Sequence, residues 1–224
     1  MTTNDQPGRS NHFAVVIPAL NEARAISEVI AGVGQYGVPI VVDDGSTDDT
    51  AQLAERGGAI VVKHAMTRGY DKALESGLFK AIELGFDYAV TLDADGQHFP
   101  QTILRFETEL SNSADLVIGY RDRHQRLAES AFAILGKALW GMADPLCGMK
   151  GYKLCHLEKL GHFDSYRSIG TEFAIRCARS RLDLRYVPVP TRDRSGRSRF
   201  GSGFRANYKI FRAMLIGLFR ATSF

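Results

Sequence analysis

Five short apolar runs, each followed by a stretch of helical spacing, constrain this 224-residue chain more than any other feature. They cover residues 13–17, 40–42, 59–62, 86–90 and 115–119, and are rich in Val, Ile and aromatic side chains. Runs this short and this apolar read as strands buried on both faces. Amphipathic stretches follow at 21–36, 48–56, 70–84, 100–110 and 126–142. Pro18 is expected to break the first strand, and Ser46 or Thr47 to cap the helix opening at Asp48. The alternation predicts an α/β fold, a Rossmann-like, mostly parallel central sheet with helices on both faces. Residues 144–152 read as a break, 171–180 as a helix, 184–190 as extended chain and 192–199 as a loop. One domain over 13–202 accounts for these elements, after a polar tail at 1–12 and before an amphipathic helix at 203–224.

In open sheets of this type, ligands bind beyond the carboxyl ends of the strands. Pro18, Asn21 and Glu22 fall at one predicted strand end, Asp43 and Asp44 at a second, and Asp93 and Asp95 at a third. These groups are expected to converge on one rim. Paired carboxylates repel, and one pKa rises unless a cation neutralises them. Oxygen ligands suit Mg²⁺ or Mn²⁺, which keep few protein ligands and take substrate phosphates for the rest. Asp93 and Asp95 are therefore a candidate site for a metal-bound diphosphate.

The net charge of +3 conceals an asymmetry. From Arg167 onward, 13 Lys and Arg stand against 3 Asp and Glu. The acidic part suits a metal and the basic part suits phosphates or an anionic surface. Cys147, Cys155 and Cys177 have no paired metal spacing and are expected to be free thiols, which fits a reducing cytoplasm. No apolar run is long enough to cross a bilayer, so membrane contact is expected to be peripheral. Its vehicle is the last helix, where Phe204, Tyr208, Phe211, Leu215, Leu218 and Phe219 form one stripe beside Arg205, Lys209 and Arg212. The competing expectation is that this helix packs on its own domain.

Three stretches then acquire a shared meaning. Val15-Val16-Ile17-Pro18-Ala19-Leu20-Asn21-Glu22, Val41-Val42-Asp43-Asp44-Gly45-Ser46-Thr47-Asp48 and Leu92-Asp93-Ala94-Asp95-Gly96-Gln97-His98-Phe99-Pro100 closely resemble family 2 glycosyltransferases of the GT-A fold. Within that family the chain looks most like the dolichol-phosphate mannose synthase and polyprenyl-phosphate glycosyltransferase branch. The resemblance is strong to about Arg121 and runs more loosely through Asp144-Pro145-Leu146-Cys147-Gly148-Met149-Lys150 to Arg194-Ser195-Gly196-Arg197-Ser198-Arg199. It implies that Pro18, Asn21, Glu22 and Asp44 surround the nucleoside of a nucleotide-sugar donor. Asp93 would border the diphosphate and sugar, Asp95 and Gln97 would ligate Mg²⁺ or Mn²⁺, and Arg121, Arg194 and Arg199 would face phosphates. His98 would support the loop. The chain departs from the family where relatives commonly carry Gly-Lys-Gly or Gly-Leu-Gly, reading Arg68-Gly69-Tyr70-Asp71-Lys72 instead, and Tyr120 replaces a small residue.

The chemistry implied is an inverting, metal-dependent transfer of a hexose from GDP-mannose or UDP-glucose to a polyprenyl or dolichyl phosphate, peripherally at the cytoplasmic membrane face. A phosphate acceptor is already anionic, whereas a sugar or protein hydroxyl needs a general base. Asp144 is the candidate for that base, or else a turn residue. A non-catalytic protein binding nucleotide sugars or nucleic acid is the outlying alternative. No nucleic-acid motif interleaves aromatics with cations, so no nucleic-acid partner is expected.

Overall fold

The computed structural model describes residues 13–121, 127–192 and 204–220. Its seven strands are β1 (Phe13–Ala19), β2 (Val38–Asp43), β3 (Ile60–Lys63), β4 (Tyr88–Thr91), β5 (Leu116–Tyr120), β6 (Lys150–Lys153) and β7 (Leu184–Pro188). They form one sheet in the order β3-β2-β1-β4-β6-β5-β7. Every pairing is parallel except those of β6, which runs antiparallel to both β4 and β5. This is the predicted α/β sheet with one reversed strand set into its middle. The expected tail at 1–12 and most of the expected loop, with Arg194 and Arg199, lie outside the described residues.

Alternation along β1 separates two cores. Ala14 and Val16 join the cluster under α3 (Tyr70–Glu83), α5 (Leu127–Trp140), α6 (Leu154–Leu160), α7 (Glu172–Arg179) and α8 (Phe204–Arg220). Phe13, Val15 and Ile17 join the cluster under α1 (Ile26–Val33), α2 (Thr50–Arg56) and α4 (Ile103–Ser111). The helices present matching stripes, as in α1, where Ile26, Val29, Ile30 and Val33 are buried at i, i+3, i+4 and i+7. At Gly77 the axis of α3 comes so close to the sheet that a Cβ would collide with Val16 and lie 2.9 Å from Val42.

Several local expectations are corrected. Pro18 does not end β1; it pairs with Val42 and the strand continues to Ala19, because a parallel strand loses only one donor at proline. The first helix starts at Ile26 rather than near Asn21, whose φ of 50° is left-handed. The second starts at Thr50, and neither Ser46 nor Thr47 caps it. Ser46 Oγ instead accepts the Asn21 N–H at 2.8 Å, and Asn21 Oδ1 accepts the Thr47 N–H at 2.7 Å. These polar groups fasten the two strand-end loops to each other. The break expected at 144–152 contains β6, and α6 follows it unforeseen.

Residues 161–171 fold back over the first turn of α3. Asp164 accepts the N–H groups of Arg167 and Ser168 at 2.8 and 2.7 Å, while Glu75 Oε2 accepts those of Phe163 and Asp164 at 3.0 and 3.3 Å. Asp71 Oδ1 accepts the Gly170 N–H at 2.6 Å. Burial, and then the Asp164 charge, raise the Asp71 carboxyl from 3.8 to about 6 despite these backbone donors. The folded chain thus holds this proton more tightly than the unfolded chain. Asp71 is destabilising at pH 8, and that effect fades as pH falls through 6 toward 3.8. Asp71→Asn, which keeps an oxygen acceptor, is expected to be more stable than wild type by about 1–3 kcal/mol at pH 8. The gap should close below about pH 4 in urea melts, and equal stability at pH 8 would contradict the assignment.

Candidate active site

The rim forms where β1, β2, β4, β5 and β7 end and, because it is reversed, where β6 begins. Strand reversal therefore brings the segment leading into β6, Asp144 to Lys150, to the same edge as Asp93. Gly148 approaches Asp93 so closely that a Cβ there would collide with the carboxylate. Only glycine leaves room.

Asp93 is held on both oxygens. Tyr70, the first residue of α3, donates its hydroxyl to Oδ1 at 3.2 Å, and His98 Nε2 lies 3.5 Å from Oδ2. Desolvation alone would raise the Asp93 pKa, but hydrogen bonding and charge from His98, the Tyr70 hydroxyl and the Lys150 ammonium together lower it. Asp93 remains an anion. Burial pushes Tyr70 well above its ordinary value, reinforced by the Asp93 charge, so the phenol keeps its proton and stays a donor. Lys150 is buried at 3% exposure and donates to the Cys147 carbonyl at 2.6 Å. Burial lowers its pKa, while Cys147, Asp144 and Asp93 oppose that shift.

Asp95 and Gln97 form the turn beyond Asp93. Asp95 Oδ1 accepts the Gln97 N–H at 3.0 Å, an arrangement that Gly96 permits with φ 73°. Gln97 is tied to the far end of the chain: its carbonyl accepts the Arg192 N–H at 2.9 Å, and its Nε2 donates to the Arg192 carbonyl at 3.1 Å. The amide oxygen is then the end of Gln97 not used in that bond. Among the described residues no group of three or more His, Cys, Asp or Glu gathers around a metal position. One carboxylate and one amide oxygen suit a hard divalent ion whose other positions go to phosphate oxygens. The donor set fits Mn²⁺ or Mg²⁺.

Asp44 is nearly enclosed, at 4% exposure. Its Oδ1 accepts from His64 Nδ1 at 2.6 Å and the Arg68 N–H at 2.9 Å, and its Oδ2 accepts the Gly69 N–H at 2.8 Å. On the other side of the ring His64 Nε2 is hydrogen-bonded with Ser76 Oγ at 2.9 Å. Asp44 thus anchors the entry to α3. Glu22 donates its N–H to Thr50 Oγ1 at 2.8 Å, fixing the loop after β1, and Pro18 lies just before it, partly exposed.

Arg121, just past β5, is clamped by acid. Its Nε and one terminal nitrogen meet the two Asp144 oxygens at 2.8 and 3.1 Å, and that terminal nitrogen lies 3.4 Å from Glu129. Burial would lower the guanidinium pKa, but Asp144 and then Glu129 outweigh it and raise it. Asp144 is 2% exposed and spent on this pair. Cys147 is buried, and desolvation followed by the Asp144 charge raises its thiol to about 11.

Contacts join Asp44 to Gly69, Tyr70 to Asp93, Asp93 to Gly148, and Asp144 to Arg121. Residues from distant parts of the chain share one rim. Tyr70, Gly148 and Lys150 were not singled out as site residues from the sequence. Their only signals were the altered glycine motif before the third helix and the looser match around residue 148.

The sequence profile described as glycosyl transferase family 2 matches residues 14–133. An uncharacterised protein of Methanocaldococcus jannaschii is 30% identical over 194 residues, covering 79% of this chain and 80% of its own. The UDP-N-acetylglucosamine–dolichyl-phosphate N-acetylglucosaminyltransferase of Methanococcus voltae is 26% identical, covering 90% and 94%. Among solved structures, glucosyl-3-phosphoglycerate synthase of Mycobacterium tuberculosis, in complex with Mn²⁺, UDP and glucosyl-3-phosphoglycerate, superposes with a TM-score of 0.75 at 24% identity. It covers 93% of this chain and 80% of its own. That likeness establishes the GT-A fold.

The Arg121–Asp144 pair makes a stability prediction. Asp144→Asn leaves a half-buried guanidinium short of its main counter-charge, and is expected to destabilise the fold by about 3 kcal/mol. Denaturant melts at neutral pH measure this, and an unchanged midpoint would show that the carboxylate does not hold the arginine.

Proposed function

The chain belongs to glycosyl transferase family 2, and from that premise we propose an inverting, metal-dependent hexosyl transfer from a nucleotide sugar to a polyprenyl or dolichyl phosphate. The observation that carries the acceptor class is the engagement of Asp144. A hydroxyl acceptor needs a general base, and Asp144, the candidate, is buried and paired with Arg121. A phosphate monoester brings its own anionic oxygen. The Methanococcus relative, whose name gives a dolichyl-phosphate acceptor, supports the same reading.

In this reading Asp95 and Gln97 would hold Mn²⁺ or Mg²⁺, which would bind the donor diphosphate. When bound, the ion compensates charge on the leaving diphosphate. Asp93, kept anionic by His98 and Lys150, borders the sugar and diphosphate. Pro18, Asn21, Glu22 and Asp44 shape the nucleoside side, with Asp44 acting through the Arg68–Gly69 backbone it organises. Arg121 presents its remaining terminal nitrogen, which makes no bond among the described residues, toward a phosphate. Arg194 and Arg199, the other two candidate phosphate contacts, lie outside the described residues. An oxocarbenium-like centre forms as the donor bond breaks, and exclusion of water protects it.

The lipid acceptor gives a reason for the surface of α8. Ile210, Ala213 and Met214 pack into the core, yet Tyr208, Phe211, Leu215 and Phe219 project outward at 64, 44, 52 and 84% exposure. Lys209 is exposed beside them, and Ile134 and Leu139 of α5 are exposed as well. The helix packs on its domain through one face, which also takes Leu218 of the expected stripe, and carries exposed apolar side chains on another. We assign the stripe to peripheral contact with an anionic cytoplasmic membrane face. Among the described residues no helix is long and apolar enough to cross a membrane.

Purified protein with Mn²⁺ or Mg²⁺ is expected to release nucleoside diphosphate from UDP- or GDP-sugars when polyprenyl phosphate is supplied in anionic vesicles. Glycan hydroxyl acceptors assayed in parallel should give none. Asp95→Ala should lower turnover by about 100-fold or more. Failure to release nucleotide from any donor would overturn the proposal, and turnover with hydroxyl acceptors alone would move the function to glycan extension.

A further inference from the structure

Tyr70 is the first residue of α3, and it is placed by anchors on both sides. Gly69, with φ 97°, is fixed by its N–H bond to Asp44 at 2.8 Å. Asp71 on the other side is fixed by the Gly170 N–H at 2.6 Å. Gly170 itself runs along the ring: a Cβ there would lie 3.8 Å from Tyr70 Cε1. The ring packs against the apolar cluster that includes Leu74 and Leu78, and the hydroxyl emerges at Asp93. Backbone anchors at both neighbours hold the phenol against the most central carboxylate of the rim, whose side chain is 34% exposed.

We propose that Tyr70 selects the donor sugar, its hydroxyl and the Asp93 carboxylate forming one edge that reads the hexose hydroxyls while its ring limits the bulk admitted there. This deepens the proposed function and rests on its placement of Asp93 beside the sugar. The chemistry follows from the geometry. The phenol uses its proton on Asp93, so its oxygen is left as an acceptor for a sugar O–H. Asp93 accepts from a second sugar hydroxyl while His98 approaches its other oxygen. A pair of this kind recognises a hydroxyl in one orientation, and a site built for such a bond rejects analogues that cannot make it.

The test compares wild type, Tyr70→Phe and Tyr70→Leu, with Mn²⁺ and polyprenyl phosphate, on UDP-glucose, UDP-N-acetylglucosamine and GDP-mannose. Binding of UDP and GDP without a sugar is measured alongside. Tyr70→Phe is expected to lower kcat/KM for the preferred donor by about tenfold or more, the loss of one hydrogen bond to a charged group. Tyr70→Leu is expected to shrink the ratio of kcat/KM between the preferred and next donor by about tenfold. Nucleoside diphosphate affinity should stay within about twofold of wild type in both, showing the fold and the nucleoside side intact. Unchanged donor ratios in both variants of an active enzyme would overturn this inference alone. So would parallel loss of UDP or GDP binding, which would make Tyr70 a structural support. A wild-type protein that turns over none of the donors would remove the proposed function and this inference with it.

Discussion

A carboxylate at the end of a central buried strand must be neutralised, and the rest of this structure is arranged around how that is done for Asp93. Asp95, Asp44 and Asp144 add to the concentration of acid at the same edge of the sheet. Repulsion of this kind is relieved by protonation, by protein cations or by a metal. Here His98 and Lys150 take the protein's share for Asp93, which keeps its charge. Arg121 does the same for Asp144. Beyond Asp93 the turn carries Asp95 and Gln97, whose oxygen ligands suit a divalent ion carrying a diphosphate.

The reversal of β6 makes this possible. In an all-parallel sheet the segment before a strand lies at the opposite edge from the ligand. Because β6 runs backward between β4 and β5, its start joins the ends of its neighbours. Lys150, Gly148 and Asp144 reach the rim by this single topological feature. Lys150 is expensive to bury, yet it is tolerated because carboxylates and a backbone carbonyl surround it. The same reversal sets Gly148 against Asp93, whose carboxylate Tyr70 also holds by a hydrogen bond.

Much of this was readable in the sequence, for identifiable reasons. Strands buried on both faces leave continuous apolar runs, and helices packed on them leave stripes, so β1 to β5 and α1 to α5 could be found locally. The motifs containing Asp44, Asp93 and Asp95 sit where such strands end. By contrast, Lys150-Gly151-Tyr152-Lys153 carries two lysines and a glycine and shows no strand pattern; it becomes a strand only because two neighbours offer unpaired edges. Ser46 looked like a helix cap because its alternative partner, Asn21, lies 25 residues away. Asp144 was readable as a base or a turn residue. Its engagement with Arg121, 23 residues earlier, depends on the fold. Tyr70 registered in the sequence only as a departure from pattern, and its contact with Asp93 is likewise tertiary.

The proposed transfer depends on one arrangement: oxygen ligands of the turn after β4 gripping a cation that carries the donor diphosphate, with protein cations balancing the carboxylates behind it. Anomalous scattering from crystals grown with Mn²⁺ and a nucleoside diphosphate addresses this directly. One manganese peak is expected about 2.0–2.4 Å from an Asp95 carboxylate oxygen and the Gln97 amide oxygen, with diphosphate oxygens in the remaining positions. Nucleotide bound at the rim without manganese at Asp95, or manganese held elsewhere on the chain, would contradict it.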